Sequence, residues 1–212
     1  NQIVFDHIYQ QNFWGSHESL SGVGSDLAFT HPYRAQLVMI IEKYNIKSMF
    51  DAPCGDLNWM GDVLDRTGIH YKGGDVSTVA IAIAKKRHPH LNIFPFDICN
   101  SEFPAADVWH CRDCLFHLSF NDIHRSLGKF VESKIPFALI TTHRSTWLRN
   151  LDIRTGAFRY LDLERSPIRL PRALEYLRDY EGSRSFPRFV GLWTREQVEQ
   201  TLRADWRAVD SK

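Results

Sequence analysis

The stretch Lys47-Ser-Met-Phe-Asp-Ala-Pro-Cys-Gly-Asp-Leu-Asn-Trp-Met60 runs from an apolar strand through a tight turn into a helix, and the rest of the chain is read outward from it. Met49 and Phe50 bring a buried strand up to an acid, Asp51. Pro53 and Gly55 then bend the backbone, before Asp56 or Asn58 caps a helix carrying Trp59, Met60, Val63 and Leu64. A turn built for a dinucleotide pyrophosphate carries G-x-G-x-x-G, so that backbone N–H groups and a helix N-terminus face the phosphates. This turn has one glycine and a carboxylate instead. Its ligand is therefore expected to present a cation or hydroxyl groups.

Beyond this turn, strand and helix alternate. His70 to Asp75 reads as a strand ending in an acid, Ser77 or Thr78 caps a helix through Val79, Ile81, Ala82 and Ile83, and Leu91 to Asp97 is a third strand, again ending in an acid. In a parallel sheet three such ends lie side by side on the edge where open α/β folds bind ligands. Asp107 to Cys111 and Phe137 to His143 supply the fourth and fifth strands, with a helix from Asn121 between them. Asp75 lies 24 residues after Asp51, the spacing at which an acid takes ribose hydroxyls.

Asp51-Ala-Pro-Cys-Gly55-Asp56 resembles the first motif of the class I S-adenosylmethionine (SAM)-dependent methyltransferases. That resemblance implies Asp51 near the methionine amine, Pro53 and Gly55 in the cradle, Asp75 and Val76 at the ribose, and Asp97 and Ile98 at the adenine. Upstream, a short helical stretch from Val4 to Phe13 precedes Trp14-Gly and a loop rich in glycine and serine up to Ser25. Thr30 or His31 then caps a helix with Pro32 at its first position and Leu37, Val38, Ile40, Ile41 and Tyr44 on one face. An aromatic-Gly, a Ser-Gly-x-Gly-Ser loop and a helix bearing an arginine resemble a methyltransferase family of surface-polysaccharide biosynthesis. By that resemblance Trp14 and Ser25 belong to the cofactor site, Arg34 pairs with the cofactor carboxylate, and Ser16 to Ser25 closes as a lid. Cys111-Arg-Asp-Cys-Leu-Phe-His-Leu-Ser119 is similar to the fourth motif of the same family and adds Arg112 to the cofactor residues.

Methyl transfer to a hydroxyl needs a group to take the proton. The ends of the fourth and fifth strands offer Asp113, His117 and His143. His117 as base with Asp113 orienting it is the first choice, since residues four apart share a face if the segment is helical; His143 as base is the second. No metal site is expected: Cys111 and Cys114 form a C-x-x-C, but no second pair completes four ligands.

Composition bounds the rest. At 212 residues, 43% hydrophobic and 24% charged, the chain suits one globular domain. Apolar runs such as Leu37 to Ile41 fall far short of the roughly 20 residues that span a bilayer, and no basic-plus-apolar leader opens the chain. It does not begin with Met, so either a trimmed chain or a domain excised from a larger protein is expected. Four cysteines in no secreted pattern indicate reduced thiols and a cytoplasmic setting. A net charge of +1 argues against a nucleic-acid binder overall. Charge is nevertheless uneven: residues 144–188 hold ten arginines, no lysine and six acids, or 10 − 6 = +4. Arginine alone suits recognition of anions or hydroxyl-rich ligands. Phe158 to Leu163 reads as an edge strand, Arg188 to Trp193 as the last strand, and Thr194 caps a final helix.

The expected fold is a single Rossmann-like α/β domain with a seven-stranded, mostly parallel sheet flanked by helices. Residues 1–45 form an N-terminal lid and helix, 46–143 the cofactor-binding core, and 144–212 the acceptor-site walls and final strands. The expected function is O-methylation, with SAM, of a sugar hydroxyl on a glycan, for example a deoxyhexose such as rhamnose, in association with or fused to a glycosyltransferase. An RNA methyltransferase and a non-catalytic adenosine-nucleotide binding domain are the alternatives.

Overall fold

The computed structural model describes residues 1–179 and 186–205. The part of the arginine-rich segment at 180–185 lies outside the described residues. In chain order the elements are α1 (Gln2–Gln10), α2 (Leu27–Lys43), β1 (Ser48–Asp51), α3 (Met60–Thr67), β2 (His70–Asp75), α4 (Thr78–Arg87), β3 (Asn92–Pro95) and β4 (Val108–Cys111). They continue with α5 (Phe120–Ser133), β5 (Phe137–His143), β6 (Glu175–Arg178), β7 (Arg188–Thr194) and α6 (Arg195–Asp205). One seven-stranded sheet has the order β3-β2-β1-β4-β5-β7-β6. The pairs from β3 to β5 are parallel, and β7 runs antiparallel to both β5 and β6.

Alternation of side chains along each strand splits the core into two layers. Met49, Val108 and Leu139 pack under Tyr33, Leu37 and Ile41 of α2 and Met60 and Val63 of α3. Phe50, Trp109, Ala138 and Ile140 face the other way, toward Ile123, Leu127 and Phe130 of α5 and Val198 of α6. With both faces covered, strands β1, β4 and β5 are apolar on both sides, as buried parallel strands must be. At the start of α6 Thr194 Oγ1 accepts from the N–H of Gln197 while Gln197 Oε1 accepts from that of Thr194, a reciprocal cap that fixes where β7 turns into the helix.

The structure departs from the sequence reading at three elements. α2 begins at Leu27, more than a turn before Pro32, so neither Thr30 nor His31 caps it and Pro32 lies inside the helix. At that depth the ring leaves the Ala28 carbonyl without its partner four residues on, a local break in the helix's hydrogen-bond ladder. Residues 158–163 are irregular rather than an edge strand: their backbone docks on His143 and Phe116 without joining the sheet, whose edge is β6. The segment after β4 is not an α-helix. Asp113 takes a left-handed conformation (φ 56°) and only Leu115–His117 makes a short 3-10 turn.

Candidate active site

Because β1, β2 and β3 are parallel neighbours, Asp51, Asp75 and, two residues past β3, Asp97 emerge along one edge. All three line one cavity of about 300 Å³. Asp51 is buried and held from two sides: Tyr71 donates its hydroxyl to Oδ2 at 2.7 Å, and His110 Nδ1 lies 2.6 Å from Oδ1. His110, on β4, meets the Tyr33 hydroxyl with its other nitrogen at 2.8 Å. Asp75 accepts the N–H groups of Gly55 (2.9 Å) and Ser77 (2.8 Å), one per oxygen. Burial pushes its carboxyl up to about 6, against the two backbone donors. Asp97 accepts from the N–H of Cys99 at 2.9 Å and the Asn100 amide at 2.7 Å.

The turn after β1 needs its glycine. Gly55 has φ 59°, and a Cβ there would run into Ser21 Oγ. This close approach brings in the N-terminal loop. Asp56 is buried and caps no helix; instead Oδ1 accepts the hydroxyls of Ser19 (2.8 Å) and Ser21 (3.1 Å), Oδ2 accepts the N–H of Leu20 (3.0 Å), and Arg87 pairs with it at 3.0 Å. The serine-glycine loop is thereby fastened to the cofactor-side turn, and Gly22, Val23, Gly24 and Ser25 form a cavity wall.

Past β4, four charges close a ring. Arg112 donates to Asp179 through Nε and Nη2 (3.1 and 2.9 Å) and contacts Asp113 through Nη1 at 3.3 Å; Arg188 reaches Asp113 through Nη1 and Asp179 through Nε, both at 3.2 Å. Arg112 also donates to the Gly24 carbonyl at 2.7 Å and stacks against Tyr33 and Trp59. Burial opposes charge on Asp113, but the guanidinium groups of Arg112 and Arg188 override it and hold the carboxyl below its ordinary value. The strained backbone at Asp113 is secured by its N–H, which donates to Thr141 Oγ1 at 2.9 Å.

His117 faces the same cavity from an aromatic surround: Phe116, Trp14 and Phe158 lie with ring centres at 4.5, 5.5 and 5.9 Å. Its Nδ1 lies 2.8 Å from the carbonyl of Ala157. Burial lowers its pKa, so the ring is neutral at pH 7.

Of the residues expected at the cofactor, Trp14, Ser25, Asp51, Pro53, Gly55, Asp75, Val76, Asp97, Ile98 and Arg112 line this cavity. Arg34 does not. Arg34 faces α3, pairs with Asp62 at 2.8 Å and donates to the Leu27 carbonyl. The helical spacing expected for Asp113 and His117 is not formed: Asp113 is left-handed, and His117 Nδ1 is held by the carbonyl of Ala157, while the Asp113 carboxylate acts on the imidazole through its charge. His143 is buried behind Phe116, is not on the cavity wall, and uses Nδ1 to accept the N–H of Leu161. Among the described residues no group of three or more His, Cys, Asp or Glu could hold a metal ion, and no helix is long and apolar enough to cross a membrane.

Sequence reasoning passed over His110, Asp56 as a loop anchor, Arg188 and Asp179. His110 carried a local signal, since it sits beside Asp51 once β1 and β4 are paired. Asp179 and Arg188 carried none beyond the arginine bias.

No family model matches the chain, and no curated protein matches it in sequence. Solved structures do match in three dimensions. The methyltransferase domain of bacterial CtHen1 aligns with a TM-score of 0.61 at 17% identity, covering 78% of this chain and 99% of that one. Magnesium protoporphyrin IX methyltransferase (ChlM) from Synechocystis PCC 6803 with bound SAH aligns at 0.64 and 10% identity, covering 92% and 97%. N-methyltransferase NodS from Bradyrhizobium japonicum WM9 aligns at 0.57 and 12%, covering 80% and 97%. At these identities the likeness establishes the fold, the Rossmann-like class I methyltransferase fold.

Proposed function

We propose that this protein is a SAM-dependent O-methyltransferase that acts on a sugar hydroxyl of a glycan. The observation that carries the reading is the row of Asp51, Asp75 and Asp97 on one side of a cavity whose other side presents Asp113 and His117. The donor set suits the group: SAM is cationic at its ammonium and sulfonium, carries a vicinal diol, and ends in an amino-purine. Asp51 is available for the ammonium, Asp75 for the diol and Asp97 for the purine, with Arg112 at hand for the single carboxylate. When bound, the cofactor supplies an electrophilic methyl on sulfur.

The residues around it do the rest. A carbonyl can only accept, so the hydrogen of neutral His117 sits on Nδ1 and Nε2 keeps a lone pair. That nitrogen would take the proton of the acceptor hydroxyl, while a bound cofactor would supply the methyl group that replaces it. Asp113, kept ionised by two guanidinium groups, accepts a hydrogen bond from a second hydroxyl of the acceptor. Trp14 and Phe158 offer flat apolar faces to the carbon skeleton of a ring. Hydroxyls at one edge and a C–H face at the other describe a sugar, and the resemblance of the Trp14–Ser25 and Cys111–Ser119 segments to glycan-modifying enzymes favours the same acceptor. A glycosyltransferase handling the same sugar is the partner this implies.

Calorimetric titration of the chain with SAM and with S-adenosylhomocysteine (SAH) tests the cofactor half. Release of SAH on incubation with free, nucleotide-linked and polymeric deoxyhexoses, beside single-stranded RNA, tests the acceptor half. Absence of binding to either nucleoside defeats the whole reading. Methylation of RNA in preference to every sugar defeats the acceptor alone.

A further inference from the structure

A file of buried hydrogen bonds ends on Asp51. Its Oδ2 accepts the Tyr71 hydroxyl at 2.7 Å, its Oδ1 meets His110 Nδ1 at 2.6 Å, and the Tyr33 hydroxyl lies 2.8 Å from His110 Nε2. Asp51 and His110 are register partners on β1 and β4, so their side chains leave the sheet on the same face. Both phenols keep their hydrogens, since burial holds each far above its ordinary value. A carboxylate only accepts, so His110 Nδ1 carries a hydrogen, and the Tyr33 O–H is free to donate to Nε2. In that arrangement the imidazole is neutral and every donor in the file points toward Asp51.

Packing alone does not call for such a file. The side chains of His110 and Asp51 are 1% and 4% exposed, and an apolar pair of similar volume would bury there without the cost of desolvating a charge. What distinguishes the place is the cavity: Asp51 and His110 line it, while Tyr33 and Tyr71 stand behind. An ionised carboxylate has about four lone-pair sites. The protein fills two, which leaves the rest for a donor arriving from the cavity. Tyr33 also touches the group at hand for the cofactor carboxylate, because Arg112 stacks on its ring at 5.3 Å.

We infer that His110 and Tyr33 are positioning residues for the amino-acid end of the cofactor. His110 fixes Oδ1 of Asp51, and Tyr33 fixes His110 while bearing Arg112, so one unit aims both the acid for the ammonium and the guanidinium for the carboxylate. The inference rests on the proposed cofactor and deepens that reading. It makes the two halves of recognition separable: the amino-acid end depends on this file, and the nucleoside on Asp75 and Asp97.

A truncated ligand tests it. 5′-Methylthioadenosine shares the nucleoside and thioether of SAH and lacks the amino-acid end. Titration calorimetry of the whole chain with each compound, for wild type, His110→Phe, His110→Asn and Tyr33→Phe, reads the two halves apart. SAH affinity is expected to fall about tenfold or more in His110→Phe, with 5′-methylthioadenosine within about twofold of wild type. His110→Asn, whose amide nitrogen takes the place of Nδ1, should recover most of the loss. Tyr33→Phe, which keeps the ring beneath Arg112, should cost SAH about threefold and 5′-methylthioadenosine less than about twofold. Equal weakening of both ligands, SAH affinity within about twofold of wild type in His110→Phe, or no recovery in His110→Asn overturns the inference and leaves the cofactor reading intact. Equal affinity of the wild type for the two compounds does the same. If His110→Phe does not fold, Tyr33→Phe decides by the ratio of the two affinities. If wild type binds neither compound, the cofactor reading falls and the inference with it.

Discussion

His117 and Ala157 are joined by a 2.8 Å hydrogen bond in which the ring nitrogen Nδ1 donates to a backbone carbonyl. The bond decides the tautomer, because a carbonyl has no hydrogen to give. It leaves Nε2 as the one basic nitrogen, and it does so without a carboxylate partner. The imidazole is thus a weaker base than in an acid-supported pair, one that stays neutral to lower pH.

Two outcomes follow for turnover. His117→Ala should lose about 10² to 10⁴ in kcat with SAM affinity within about twofold of wild type. In the wild type the acidic limb of the kcat profile should fall below the ordinary histidine value of about 6.5, since burial depresses the pKa and the neutral form persists until pH drops through it. Stopped-time assays of SAH release across pH 4 to 8 measure both; a limb at or above 6.5 contradicts the assignment.

Asp75 sets the cofactor's dependence on acidity at a higher pH than an ordinary aspartate would. Burial holds its carboxyl up near 6 rather than 3.8, so it is ionised at neutral pH and gains its proton as the pH falls past 6. SAH affinity is expected to decline across that window, and Asp75→Asn should remove the decline along with roughly 1.5–3 kcal/mol of binding at pH 7.5. Calorimetry at pH 5, 6 and 7.5 settles it. An affinity that is flat with pH in the wild type argues against ribose recognition by this side chain.

The loop from Ser19 to Ser25 is expected to exchange its amide hydrogens slowly before any ligand is added, because Asp56 already holds two hydroxyls and one N–H of it. Asp56→Ala should release it, speed exchange there, and cost about 1–3 kcal/mol of stability through the donors left unpaired. Hydrogen exchange by mass spectrometry reads this directly. Fast exchange at 19–25 in the free wild type would restore the picture of a loop ordered by its ligand.

His143, buried behind Phe116, is expected to contribute to acid sensitivity. Burial lowers its pKa to about 4, with Arg188 acting the same way, against about 6.5 in an unfolded chain. The unfolded form binds the proton first, so the stability linked to this group is complete above pH 6.5 and is lost as pH falls toward 4. The span corresponds to about 3 kcal/mol. Thermal melts between pH 4 and 7 on wild type and His143→Phe check it: the variant should show a shallower fall in Tm with acid and retain turnover.

The parts of the site that were legible in sequence are those written locally. Met49-Phe50-Asp51 followed by Pro53 and Gly55 specifies strand, acid and turn within a few residues, and repetition of strand-then-acid at Asp75 and Asp97 locates the rest of one cavity side. The arrangement of Asp113 was not legible, since its left-handed backbone is stabilised by Thr141 on the next strand rather than by its own neighbours. Arg34 misled because its partner is Asp62 on the packed neighbour α3, a contact that no local pattern announces. Asp56 read as a helix cap by position, yet three donors from residues 19–21 compete for it and win. The orientation of His117 comes from a main-chain carbonyl forty residues away, and no side-chain pattern encodes that.

The strand order has a consequence for synthesis on the ribosome. A chain emerging from the N-terminus has all three cofactor-side aspartates, and Arg112 as well, once residue 112 is made. The partners that neutralise and aim Arg112 include Asp179, and Arg188 joins the same ring from β7, the strand that pairs with β5. Until that hairpin arrives, a buried guanidinium would have Asp113 as its lone counter-ion from this ring, which is an unfavourable state to fold into. Competence to hold the nucleoside should therefore appear late, in one step with closure of the sheet, and a nascent chain halted near residue 143 would be both unable to bind and a candidate for quality control.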